Sequence, residues 1–300
     1  MRTKEAIRSY ALSLNIDLIG FTDVQPLPEN AQRFRSWLDA GMHGAMHWLE
    51  RRPEARFDPA DLLEGAQTVI CTAMSYYTGQ KGASPAARYA YGRDYHLVLA
   101  DKLAQIVAFL HQADPGMRAK ICVDTSPLAE KPLAQKAGLG WQGRNTLLVN
   151  DYYGSWLCLG ELIINRAYPP DHPATVRCGT CRACLQACPT GAIRDDGSLE
   201  ASRCLSYISS YEDEEPYDLR GTILGCDICQ AVCPFNRHPL PSREASFQHP
   251  NPLTARSLSK LSALSREEYE SLRRDTAFGR LPYTRFQRNL LRAGSASPES

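Results

Sequence analysis

Cys178-Gly179-Thr180-Cys181-Arg182-Ala183-Cys184-Leu185-Gln186-Ala187-Cys188-Pro189 decides how the rest of this chain is read. The run returns in shorter form as Cys226-x2-Cys229-x3-Cys233-Pro234, with a lone Cys204 between the two. Three thiolates so closely spaced wrap three corners of a 4Fe-4S cube, and the cysteine before each proline reaches across to the other cube. Spacing therefore assigns Cys178, Cys181, Cys184 and the distant Cys233 to cluster 1. Cluster 2 is left with Cys188, Cys204, Cys226 and Cys229. Residues 205–225 stand where a simple two-cluster protein has a two-residue step, so something further is built on that insert.

Other uses of these cysteines fit less well. Paired CxxC units also suit tetrahedral zinc, but a third cysteine at the x2 step and a closing Cys-Pro favour iron and sulfur. Disulfides belong to oxidising compartments, and Met1-Arg2-Thr3-Lys4-Glu5 leads into an amphipathic segment rather than a secretory one. No later stretch is apolar for long enough to span a membrane, so the reading is of a cytoplasmic protein. Cys71, Cys122 and Cys158 lie in apolar strand-like runs and read as buried packing residues.

A chain of 300 residues that is 43% hydrophobic has room for two cores. Its net charge of +1 marks no global field for nucleic acid, so any such role rests on a local patch. Periodicity predicts a helix over 4–14, a strand over 17–21, and a second helix over 30–50 broken at Gly41 and Gly44. Strands follow at 68–74, 119–123, 146–149 and 157–164, with helices at 96–112, at the turn ending at Ala137, and over 257–274. The proline-rich linker 168–173 marks a domain boundary.

Three constellations call for weighing. His43 and His47 would share one helix face, yet with no third ligand in view they read as surface or packing residues. Gly138-x-Gly140-x-x-Gly143 matches a dinucleotide string in the wrong context, helix before strand, and reads instead as a tight turn admitting a ligand to backbone amides. Asp124 lies just past a strand end, where a carboxyl is either displayed for catalysis or, with Ser126, caps the turn begun by Pro127. Buried beside an electron-rich cofactor, it would have a raised pKa and could act as a general acid. In the tail, Arg273, Arg274, Arg280, Arg285, Arg288 and Arg292 outnumber Asp275 and Glu299 and suggest a phosphate-binding surface.

Taken together, the chain resembles the epoxyqueuosine reductases, cobalamin-dependent iron-sulfur enzymes that complete queuosine in tRNA. The resemblance rests on Arg56-Phe57-Asp58-Pro59, on Tyr89-Ala90-Tyr91-Gly92-Arg93-Asp94-Tyr95-His96 and on Val123-Asp124-Thr125-Ser126-Pro127. It continues through Ala137-Gly138-Leu139-Gly140-Trp141-Gln142-Gly143-Arg144-Asn145, Cys204-Leu205-Ser206-Tyr207 and Gly225-Cys226-Asp227-Ile228-Cys229. It implies an α+β chain: a nitroreductase-like cobalamin domain over 1–167, a bacterial ferredoxin-like two-cluster domain over 168–240, and a short helical, Arg-rich tail over 241–300, which departs from those members that continue into a helical-repeat domain, expected to be lacking here. Asp124 takes the place of the family's proton donor, and the eight cysteines that of its cluster ligands.

Arg56, Tyr95, His96, Asn145 and Ser206, with Asp124, are the candidates for corrin contact; Lys131, Arg285 and Arg288 are those for tRNA phosphates. The Asp-x-His-x-x-Gly signature of histidine-ligated cobalamin is absent, since Asp94-Tyr95-His96-Leu97-Val98-Leu99 ends in leucine. The implied cobalamin is base-off, the partners are the tRNA anticodon arm and an external electron donor, and the chain is expected as a monomer. One departure is the acidic insert from Ser209 to Pro216, an odd neighbour for RNA. The rival readings are a reductive dehalogenase-like corrinoid reductase of small molecules and a ferredoxin-type electron carrier.

Overall fold

Four strands whose residues alternate between two cores build the centre of the amino-terminal half. The computed structural model describes residues 1–79, 84–211 and 218–294. Strands β1 (Leu18–Thr22), β2 (Thr68–Ser75) and β3 (Ala119–Cys122) are followed by a small ladder of β4 (Trp141–Gln142) and β5 (Leu148–Val149), then by β6 (Leu157–Ile164). The main sheet runs β1-β2-β6-β3 with every neighbour antiparallel. All eight residues of β2 are buried, which requires cover on both faces.

That cover comes from helices. On one face Ile70, Met74, Leu162 and Ile164 pack with Ile7 and Ala11 of α1 (Lys4–Ser13) and with Leu99, Leu103 and Ile106 of α3 (Tyr95–Ala113). On the other, Val69, Cys71, Ala73 and Ile163 pack with Leu133 and Ala134 of α4 (Glu130–Lys136). Successive residues of one strand thus serve opposite cores, as the period of two requires. Cys71, Cys122 and Cys158 are buried here, in line with their apolar flanks.

The expected helix over 30–50 is shorter. α2 (Pro28–Asp39) stops before Gly41 and Gly44, which take left-handed φ values of 68° and 59°, and a 3-10 turn at His47–Glu50 follows. His43 and His47 therefore share no helix face. Both instead meet one oxygen of Glu50, at 2.8 and 2.9 Å. The glycine run behaves differently from expectation as well. Gly138 has φ +81°, and a Cβ on Gly140 would stand 2.2 Å from the Val149 carbonyl oxygen. These glycines let the chain approach itself.

The cysteine region is nearly all loop, with short helices α5 (Ala183–Ala187), α6 (Leu205–Tyr211) and α7 (Ile228–Ala231). It is clasped from the amino-terminal side: Ala201 N donates to Met42 O, Tyr207 Oη lies 2.6 Å from Ala45 N, and Trp37 Nε1 donates to Leu199 O. Residues 212–217 of the insert, with the acidic run Glu212-Asp213-Glu214-Glu215, lie outside the described residues. Beyond come α8 (Ala245–Gln248), α9 (Leu258–Ser262), α10 (Arg266–Leu272) and α11 (Tyr283–Gly294). The single helix expected over 257–274 is two, because Ser265 and Glu268 form a capping box that starts a new helix after Ala263.

A second core joins this tail to the cysteine region. Phe278, Phe286 and Leu290 pack with Leu205, Ile208 and Ile223. The buried Asn289 amide donates to Ser209 O at 2.7 Å and Ile223 O at 2.9 Å, tying both ends of the insert to α11. Among the described residues no helix is long and apolar enough to cross a membrane.

Candidate active site and thiol clusters

Asp124 follows β3 in a left-handed conformation, φ +54°, which a non-glycine residue adopts at some cost. Three contacts over-determine it. Its amide donates to Glu130 Oε1 at 2.6 Å, and its carboxylate Oδ2 lies 3.2 Å from His96 Nε2 and 2.9 Å from Arg280 Nη1. The capping alternative fails, since α4 begins at Glu130 with Ala129 at its N-cap and no side-chain cap.

His96 stands in the first turn of α3, whose N-cap Asp94 accepts from the His96 amide at 3.0 Å and lies 2.6 Å from Nδ1. Tyr95 stacks on the imidazole with centroids 3.9 Å apart. Both ring nitrogens are thus engaged. Burial alone would lower the His96 pKa; hydrogen bonds to Asp124 and Asp94 outweigh it and raise it. The His96 hydrogen bond, against burial and with help from Arg280, holds Asp124 down to about 2. The expectation of a raised Asp124 pKa is therefore overturned. Two cationic partners win over desolvation.

Behind the loop the order reverses. Burial pushes Glu130 up to about 7, with the charge of Asp124 adding and Lys131 opposing. Glu161, mid-strand in β6 with no exposure, is pushed well above the usual carboxylate range by burial and then by Glu130. Lys131, proposed from sequence as a phosphate contact, is lowered by burial against the pull of Glu130 and Asp124.

The other sequence candidates divide. Arg56 borders the loop: its carbonyl accepts from Ala129 N at 2.8 Å, and its Nε is buried with no hydrogen-bond partner among the described residues. Asn145 is buried and turns its Oδ1 to Leu147 N, and Ser206 lies on α6 beside Cys204. No contact joins these two to Asp124 among those described. Arg285 donates to Ser210 O, and Arg288 is half-buried on the same helix. Several tail arginines have internal partners, Arg273 with Glu270 and Arg280 with Asp124, so less of the positive charge faces solvent than the sequence count suggested.

The thiols fall into two groups. Burial, then Cys178 and Cys181, raises Cys233; burial raises Cys184, with Cys233 and Cys178 adding. Burial, with Cys188 adding, raises Cys204, and Cys226 is pushed up to about 11 by burial, with Cys204 and Cys188 adding. Cys229 is raised by burial, then by Cys226 and Cys204, and next by Cys184, which acts on it more than Cys188 does. At Cys188 burial is outweighed by Thr190 and by amides including Ala192 N, 3.3 Å from Sγ, and the pKa falls. Most of these influences run within the expected sets of four, while that of Cys184 on Cys229 bridges them; eight neighbouring sulfurs form a donor array suited to thiolate-bound clusters.

Tyr89 joins the two centres. It lies edge-on to Tyr95 at 6.3 Å, and a Cβ on Gly225, next to Cys226, would stand 2.9 Å from its ring. Glu130 and Glu161 were missed as site residues, and Arg280 was counted only among the tail arginines, not beside Asp124. Only Glu161 left a signal, a lone carboxyl in the apolar run 157–164.

Comparison with known proteins adds the following. Residues 56–125 match the family model described as epoxyqueuosine reductase QueG, DUF1730, and residues 177–236 match a 4Fe-4S double cluster binding domain. The epoxyqueuosine reductase of Escherichia coli (strain K12) is 35% identical, over 98% of this chain and 81% of the relative. That of Gloeobacter violaceus is 37% identical, over 99% and 98%. The crystal structure of an epoxyqueuosine reductase with an epoxyqueuosine-modified tRNA-Tyr stem loop superposes with a TM-score of 0.89 at 31% identity, over 97% of this chain and 80% of that one. A reductive dehalogenase structure, described with a mechanism for B12-dependent dehalogenation, gives 0.53 at 19% identity over 78% and 31%, a likeness of fold alone.

Proposed function

The chain belongs to the epoxyqueuosine reductase family, and from that premise we propose that it reduces the epoxide of epoxyqueuosine in tRNA to the alkene of queuosine. The observation that carries the reading is the seat of Asp124, a carboxyl on a strained loop one aromatic residue, Tyr89, away from the Cys226 segment. The reaction breaks both C–O bonds, takes up two electrons and two protons, and releases water.

Cys178, Cys181, Cys184 and Cys233 hold one 4Fe-4S cluster, and Cys188, Cys204, Cys226 and Cys229 the other. The mutual influence of the sulfurs supports this division at Cys184, Cys233, Cys204 and Cys226, while Cys229 also feels Cys184 of the other set. Cobalamin fits beside the Asp124 loop, where the Nε of Arg56, buried and without a hydrogen-bond partner among the described residues, offers a donor and where Tyr95 stacks on His96. Because His96 is engaged at both nitrogens, it is not offered to cobalt, in keeping with a base-off corrinoid. When bound, the corrinoid supplies the reducing electrons, fed one at a time through the clusters from an external donor.

The chain's own residues manage the proton. Asp124 protonates the departing epoxide oxygen, receiving that proton from His96, with which it shares a hydrogen bond. Arg280 holds the carboxylate in place until the substrate's phosphates draw the guanidinium away, and Arg285 and Arg288 flank the same tRNA path. We read residues 1–167 as the nitroreductase-like corrinoid domain, 168–240 as the ferredoxin-like domain and 241–300 as the tail, in a cytoplasmic monomer.

Anaerobic purification with cobalamin tests this directly. The expected protein is brown, carries about eight irons, binds the corrinoid, and converts epoxyqueuosine in a tRNA stem loop. Colourless, zinc-containing protein, or loaded protein that leaves the epoxide intact, would overturn the reading.

A further inference from the structure

Glu161 is a carboxyl with nowhere to go. It has no exposure, neither oxygen has a hydrogen-bond partner of normal geometry among the described residues, and the charge that acts on it is another carboxylate, Glu130. A lone charge there would be prohibitively desolvated, so Glu161 is neutral and turns its proton toward Glu130. Glu130 in turn grips the Asp124 amide at 2.6 Å, which keeps it within the field of the Asp124 carboxylate. Glu130 is only half-buried, so it can exchange its proton with water.

We propose that Glu130, backed by Glu161, is the proton store behind Asp124. The inference rests on the reaction proposed above, which needs two protons where the Asp124–His96 pair holds one. The first passes from His96 through Asp124 to the epoxide oxygen as the first C–O bond breaks. The second passes from Glu130 to Asp124 and on to the same oxygen, which leaves as water when the second C–O bond breaks. The external one-electron donor supplies both electrons. Afterwards Glu130 is ionised and His96 neutral, and both reload from solvent.

The groups that face Glu130 all bear on its titration. Asp124 comes from the loop, Lys131 from α4, Glu161 and the Cys158 thiol from β6, the Cys71 and Cys122 thiols from β2 and β3, and Tyr95 from α3. The thiols and Tyr95 are raised by burial and stay neutral near pH 7, so among the described residues Asp124 and Lys131 carry the charge beside it. A step that requires protonated Glu130 slows as pH rises through about 7.

Glu130→Gln keeps an oxygen for the Asp124 amide but has no proton to give. In the cofactor-loaded enzyme it is expected to leave KM for the tRNA stem loop unchanged, to lower kcat roughly hundredfold, and to remove the limb near pH 7 that Glu130 sets, leaving the alkaline limb of His96 alone. Wild-type kcat with the limb intact would overturn the proposal. Should that variant lose iron, Glu161→Met takes its place: it removes the donor that stabilises ionised Glu130, so the limb moves to higher pH, and an unmoved limb is fatal. Infrared difference spectra of the holoenzyme without substrate give an independent readout. A protonated-carboxyl band titrating near pH 7 must be present in the wild type and absent in Glu130→Gln. If wild-type enzyme leaves epoxyqueuosine unchanged, the functional reading fails, while the band still reports whether the pair stores a proton.

Discussion

At Asp124 a single side chain balances opposing demands. Its left-handed backbone is held by Glu130, its carboxylate by His96 and Arg280, and the net effect is an ionised group at neutral pH. Asp124→Asn removes the acid and leaves the cysteines and Arg56 untouched. It should keep iron and corrinoid at wild-type levels and lose roughly 10²–10⁴ in kcat, as measured by cofactor analysis and single-turnover assay. Arg280→Gln removes the second of the two cations. The Asp124 pKa should rise toward the ordinary carboxylate range, and His96, freed of a neighbouring positive charge, should rise with it. The acidic limb of the kcat/KM profile would then move to higher pH; a limb that stays put would remove Arg280 from the site. Asp124 was legible in the sequence because Val123-Asp124-Thr125-Ser126-Pro127 carries a recognisable pattern. Arg280 was not, since nothing local relates two residues whose meeting depends on how the tail packs.

Among the elements, those set by local pattern were read closely and those set by tertiary context were not. The strands at 68–74 and 157–164 are continuous apolar runs between turn residues, and the observed β2 and β6 match them within a residue. The helix over 257–274 failed because apolar spacing ran through Ala263-Leu264 while the Ser265 capping box reset the backbone. Gly138-x-Gly140-x-x-Gly143 misled for a related reason: its glycines answer to β5 and the linker, which the string itself does not contain. Gly140→Ala should therefore drive a methyl into the Val149 carbonyl and destabilise the fold by about 1–3 kcal/mol. Denaturant midpoints measure this, and an unchanged midpoint would show that the β4–β5 ladder yields freely. Phe286→Ala, within the core shared by α11 and α6, should cost about 3–5 kcal/mol. It should also speed loss of iron to a chelator, because Ser209 and Ile223 are held through the neighbouring Asn289.

Across the whole molecule, charge is arranged locally. The chain is nearly neutral overall, so attraction for tRNA must come from a face on which arginines remain available to phosphate. If Arg285 and Arg288 lie on that face, affinity for the stem loop should fall steeply with salt, and the double substitution to glutamine should flatten the slope by about two counterions. A titration that is flat in the wild type would rule such contacts out. The two cores meet around Tyr89, which packs against both and whose surroundings include Asp124, Arg280 and Asp227. Tyr89 thus couples the packing of the sheet domain to that of the cysteine region and tail.

The pinning of Ser209 and Ile223 by Asn289 bears on how the chain is made. Residues flanking the insert leave the ribosome well before α11, so the loop carrying Cys204 and Cys226 emerges without its lid. During that interval the nascent thiols are open to oxygen and to stray metal. Delivery of iron and sulfur after release, onto a finished scaffold, would then give better yields than delivery during translation.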